Sequence, residues 1–160
     1  MPNYCENELT VTGSPEKLLE FKKRVSSKKE DLGTQSIEQQ VIDRLLHRED
    51  EEGLILDAER IKPYPKGLNY DRRDWRVENW GTKWLDEPSL SELTGALLYS
   101  FDTAWSPPCS LVLEMGRMFP ELCFELQYWE GGAGFQGTFI MENGKVITNE
   151  HTDYSGDRGG

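Results

Sequence analysis

Residues 5–12 and 122–129 each alternate between two sets of side chains. In the first stretch Cys5, Asn7, Leu9 and Val11 point one way, and Glu6, Glu8, Thr10 and Thr12 point the other. In the second, Leu122, Phe124, Leu126 and Tyr128 share one side. A strand turns successive side chains to opposite faces, so this period of two calls for a sheet with one face on a core. An antiparallel sheet covered on one face by helices meets that demand.

The segments between supply the helices. Gly13 ends the first strand; Ser14 then suits an N-cap, Pro15 the first helical position, and Glu16 the positive helix start. Leu18, Phe21 and Val25 recur on one helical face, with Leu19 beside them. Residues 28–35 read as a loop. Ser36 and Gln39 form a capping box, followed by Ile37, Val41 and Leu45 on a second amphipathic helix ending near His47. Residues 54–61 read as a short strand, with Pro63 and Pro65 after it suiting a sheet edge. Residues 66–94 are Trp-rich and polar and carry no clear period. Residues 95–102 read as a strand. Ser106 and Pro107 signal a helix start, Leu111, Met115 and Met118 give its apolar stripe, and Pro120 stops it. Residues 135–141 alternate again, and Asn143-Gly144 predicts a tight hairpin turn back through 145–150.

Reduced to its frame, the order is β-α-β-β-α-β, the ferredoxin-like split β-α-β sandwich of class α+β. The expected domain is 1–151, with a helical insertion at 28–52, the Trp-rich segment at 66–94, a C-terminal β-hairpin extension and a disordered tail at 152–160. A chain of 160 residues fits one such domain, and its 5 Trp, 6 Tyr and 6 Phe set it apart from a disordered polypeptide.

Charge narrows the function. The formal net charge is −11, so neither a general DNA-coating role nor direct nucleic-acid binding is expected. The first 81 residues hold 17 acids and 14 bases, and the rest hold 12 acids and 4 bases. The run Glu49-Asp50-Glu51-Glu52 reads as a solvated loop. No apolar stretch is long enough for a membrane helix and no secretory leader opens the sequence, which points to the cytoplasm. Three cysteines without CxxC spacing and two histidines offer no zinc site and no metal is expected.

Five ordered motifs resemble one family. They are Met1-Pro2-Asn3-Tyr4-Cys5-x-Asn7-x-Leu9-x-Val11-x-Gly13, Ile61-Lys62-Pro63-Tyr64-Pro65, and Asn79-Trp80-Gly81-Thr82-Lys83-Trp84. Phe101-Asp102-Thr103-Ala104-Trp105-Ser106-Pro107-Pro108 and Tyr128-Trp129-Glu130-x-Gly132-x-Gly134-Phe135-x-Gly137 complete the set. Together they resemble the YubB-like family of phage and plasmid proteins, with Tyr4 where Trp is expected. The resemblance implies a ferredoxin-like domain and a mobile-element origin, and it implies no particular reaction or cofactor.

Several residues are candidates for chemistry. Gly132-x-Gly134-x-x-Gly137 matches a dinucleotide fingerprint literally, but a strand follows it where the fingerprint needs a helix, so a turn and a strand glycine are expected. Trp75, Trp80, Trp84, Trp105 and Trp129 are either a core cluster under a loop or a stacking platform. Arg72, Arg73, Arg76 and Lys83 interleave with three of them. Asp102 and Glu130, if adjacent, would make an acid/base or metal pair. Trp80, Lys83, Trp84, Asp102, Trp105, Ser106 and Glu130 therefore form the candidate ligand-binding set, while catalytic residues stay unassigned. The leading expectation is a non-enzymatic protein-interaction module, in its sharper form an acidic charge mimic acting on a basic nucleic-acid-binding protein. The alternative is a small-ligand or nucleotide site, or an enzyme, built on the candidate set.

Overall fold

A computed structural model of the chain describes residues 3–28 and 54–156. The capping box at Ser36, its helix and the acidic run at 49–52 lie outside the described residues.

Strand β1, Tyr4–Thr12, is the centre of the molecule. Its Cys5, Asn7, Leu9 and Val11 are buried, as the period of two requires. Gly13 then turns the chain against Leu122, whose side chain occupies the place a Cβ would need. Helix α1, Pro15–Val25, follows with Ser14 Oγ accepting from Lys17 N at 3.3 Å. Strand β2, Ser26–Lys28, pairs antiparallel with β3, Leu54–Leu56, in a separate two-stranded sheet. Helices α2, Ala58–Ile61, and α3, Arg72–Trp80, come next. Strands β4, Leu85–Leu93, and β5, Ala96–Ala104, form a hairpin. Helix α4, Cys109–Met118, leads to β6, Cys123–Glu130. Strands β7, Phe135–Glu142, and β8, Lys145–Asp153, close the chain as a second hairpin. Both its turn residues, Asn143 and Gly144, have positive φ (53° and 72°), as a primed turn demands.

The main sheet is antiparallel in the order β4-β5-β1-β6-β7-β8. Its first four strands are the ferredoxin-like frame, and the β7–β8 hairpin widens it beyond β6. The core fills the helix side. Phe21 of α1 meets Tyr99, Phe119 and Phe124 edge-on at 6.2, 5.3 and 5.3 Å, an arrangement that suits the ring quadrupoles. Leu111 and Met115 of α4 are fully buried in the same core. The alternating partners on the other face, from Glu6 and Glu8 to Ser100, Asp102, Gln127 and Trp129, stay partly exposed.

Three expectations need correction. Residues 54–61 are not the second strand of the frame. Only Leu54–Leu56 is extended, and Asp57 then caps one helical turn by accepting from Glu59 N at 3.0 Å. The frame's second strand is β4, inside the segment without a clear period. It is an edge strand with a bulge between Asp86 and Ser89, and it places Glu92 on the core side. The buried Lys22 of α1 neutralises Glu92, which breaks the apolar pattern a core-facing strand should show. The α4 helix begins at Cys109, with Pro108 at the cap and no side-chain cap bond. Ser106 instead donates to Gly81 O at 2.6 Å. Finally, Thr152 and Asp153 belong to β8, and Tyr154 N donates to Gly134 O at 2.7 Å.

Candidate recognition surface

The Trp-rich segment folds into a wall. Asp71 caps α3 by accepting from Arg73 N at 2.8 Å and Asp74 N at 3.2 Å, and Gly81 ends it with φ 89°. Trp75 and Trp80 point inward and meet edge-on at 6.1 Å, with Tyr64 on Trp75 at 5.3 Å. Trp80 Nε1 donates to Lys62 O at 2.8 Å, so its polar handle is satisfied in the interior. Two of the interleaved arginines lie on the protein's own rings: Arg76 over Trp80 at 4.8 Å and Arg72 over Tyr64 at 4.7 Å. A cation already seated on a ring is not offering that ring to a base. Trp84 is half-buried and, with Trp80, Arg76, Glu59, Leu85 and Pro88, borders a cleft of about 350 Å³. Lys83 is half-buried between them in sequence and does not border that cleft.

A polar junction fixes the end of β5. Thr82 is fully buried; its Oγ accepts from Ala104 N and donates to Ala104 O, both at 3.1 Å. Thr103 Oγ donates to Ser106 O at 2.7 Å and accepts from Asn7 Nδ2 at 2.9 Å. Trp105 N donates to Asn3 O at 2.9 Å, and Ser106 N closes a three-residue turn onto Ala104 O at 2.8 Å. Trp105 at the tip of that turn has φ 68°. For an L-residue this left-handed region costs about 1–2 kcal/mol, and the surrounding bonds hold it there. The residue is 46% exposed.

Glu130 is fully buried and accepts from Gly132 N at 2.8 Å and Ala133 N at 2.6 Å, so it fastens the turn between β6 and β7. Gly134 in that turn has φ 80°, and Gly137 lies within β7 with the Tyr128 hydroxyl where a Cβ would stand. The glycine motif is thus a turn and a strand glycine, with no helix behind it.

Asp102 lies on the other side of the sheet. Register places it opposite Glu6, and Glu6 opposite Trp129, whereas Glu130 is one residue on and faces the helices. Asp102 and Glu130 therefore cannot act as a pair. The open face instead reads across the strands as Asp86, Asp102, Glu6, Trp129, Gln136, Thr152. The next row is Ser89, Ser100, Glu8, Gln127, Thr138, Glu150, and the third holds Glu125 opposite Thr10. No lysine or arginine stands at these row positions. Shallow depressions of about 240 and 160 Å³ flank Trp129 on either side. Glu6, Glu8 and Asp86 were missing from the candidate set, although the alternation of β1 already turned Glu6 and Glu8 outward.

Burial pushes the Cys5 thiol up to about 12 and the Cys109 thiol up to about 11, and it also raises Cys123, so none is a ready nucleophile at neutral pH. Among the described residues no three His, Cys, Asp or Glu side chains gather as a metal site. Nor is any described helix long and apolar enough to cross a membrane.

A family model for a ferredoxin-like domain in Api92-like protein matches residues 79–158. The crystal structure of a protein api92 from Yersinia pseudotuberculosis is similar with a TM-score of 0.63, over 99% of this chain and 100% of that one, at 12% identity. At that identity the likeness shows the fold. No curated protein matches the chain.

Proposed function

Because the chain belongs to the Api92-like family with this ferredoxin-like domain, we propose that it is a non-enzymatic, cytoplasmic protein-recognition module of phage or plasmid origin. The YubB-like motifs support the origin. The occupant of its open sheet face is a basic protein surface that otherwise binds nucleic acid, and the carboxylates imitate phosphates. One observation carries this reading: Asp86, Asp102 and Glu6 stand side by side on three adjacent strands, next to Trp129. Like charges directly opposite one another weaken a sheet, and a positive surface laid over the row is attracted by all three. The same field repels nucleic acid, so filter binding of single-stranded RNA at physiological salt should be negative.

The test uses the full chain as bait beside a Glu6→Gln/Asp102→Asn variant. Wild type should retain a basic nucleic-acid-binding protein that duplex DNA competes away and that salt releases steeply. The variant should lose it. A partner that survives high salt, ignores DNA or binds the variant equally would overturn the proposal.

A second reading rests on Arg76. Its guanidinium makes one long bond, 3.5 Å to Glu59 Oε1, and its Nε is buried without an acceptor. A planar small ligand bearing an acceptor would fill the cleft between Trp80 and Trp84. A thermal-shift screen checks it: a ligand that raises the melting temperature with concentration should lose that effect in Arg76→Met.

A further inference from the structure

The turn that carries Trp105 combines two unfavourable features. Its tip is a bulky residue in left-handed backbone, a conformation that glycine or asparagine would occupy at little cost. The residue is also left 46% exposed. Among the described residues the ring has no aromatic or cationic partner and the indole N–H has no hydrogen bond. Trp80, in the neighbouring motif, has all three.

The turn is nevertheless held firmly. Asn3 O takes the Trp105 amide, and Thr82 clasps Ala104 through both its backbone groups. Thr103 and Gly81 hold Ser106. Such anchoring fixes the backbone of a residue that the fold leaves 46% exposed. Tyr4, 44% exposed, pairs with the preceding residue Ala104, and the Asp102–Glu6 pair lies three residues before Trp105.

We infer that Trp105 is a preorganised anchor for an arginine side chain of the partner, which stacks its guanidinium on the indole at the edge of the acidic face. This rests on the reading of that face as a site for a basic protein, and it names the partner side chain. Arginine is favoured over lysine because its planar, weakly hydrated guanidinium stacks on an aromatic face while still donating to carboxylates. A tryptophan fixed in advance loses little freedom on binding.

The test measures binding of an oligoarginine and an oligolysine peptide of equal length to the full chain at physiological salt. Wild type should prefer the arginine peptide by about two- to fivefold, the range of an exposed cation–π contact. In Trp105→Gly and Trp105→Asn the preference should vanish while the melting temperature stays level or rises, since both residues tolerate left-handed backbone. Trp105→Phe should keep part of it. The Glu6→Gln/Asp102→Asn variant should weaken both peptides alike and keep the arginine preference. If the preference survives in Trp105→Gly, or if that variant melts well below wild type, the anchor is overturned whatever the carboxylates do. If the carboxylate variant binds both peptides as tightly as wild type, the acidic-face reading falls on its own.

Discussion

Trp80 and Trp105 meet the same polar junction from two sides and are used in opposite ways. Trp80 ends a helix, buries its rings, donates its N–H to Lys62 and carries Arg76 on its face. Trp105 is tied in by its backbone N–H to Asn3 O and is left 46% exposed. Glu130 and Asp102 differ in the face they occupy: Glu130 is buried and accepts from two N–H groups of the β6–β7 turn, while Asp102 stands on the open face. Residue type and motif density do not separate structure from display. The hydrogen-bond inventory does.

Substitutions can break that contrast. The largest effect is expected from Trp80→Ala, which should cost about 3–5 kcal/mol in urea unfolding through the lost packing and the cavity left behind. A cost below about 1 kcal/mol would move Trp80 to the displayed class. Glu130→Ala removes the buried carboxylate that holds two turn N–H groups and should cost about 2–3 kcal/mol, read as a lower urea midpoint at constant slope. Thr82→Val removes both bonds to Ala104 and should cost about 1–3 kcal/mol. It should also shift Trp105 emission, because the turn loses its clasp. Asp102→Asn should change stability by less than about 0.5 kcal/mol, the level of an ordinary surface change. A large loss there would mean that the open face is structural.

Alkaline titration gives a further check of the core side. Burial raises Tyr99 and Tyr128 from 10.0 to about 12, and Cys5 from 9.0 to about 12. A raised folded pKa stabilises the fold below the unfolded value and loses that support as pH climbs. The urea midpoint should therefore begin to fall near the unfolded thiol's 9.0 and continue down toward 12. A midpoint unchanged across that window would mean these groups are not buried as described.

The frame was legible where one face met the core and the other met water. β1, β6, α1 and the Asn143-Gly144 hairpin follow from period and turn chemistry. β4 was hidden because its core side holds Glu92, made tolerable by Lys22 from a distant helix, and because a bulge breaks its period. Helix α3 carries a readable cap in Asp71 and stop in Gly81, but its charged sequence masks the apolar edge made by Trp75 and Trp80. On the site, the alternation of β1 turns Glu6 outward, but its place beside Asp102 is a pairing across strands and so a tertiary fact. The conformation of Trp105 had no signal at all, as nothing local favours left-handed backbone at tryptophan.

The central place of β1 also constrains how the chain is made. β1 lies between β5 and β6, and Asn7 reaches Thr103 across 96 positions. During synthesis β1 emerges well before either neighbour exists, so it waits unpaired until β5 and β6 have followed it. Such distant pairing predicts slow folding. The matched stretch 79–158 supplies five of the six strands but not the middle one. Expressed by itself it would leave β5 and β6 as two bare edges facing an empty slot, and it should aggregate unless a peptide spanning residues 3–13 is supplied to fill it.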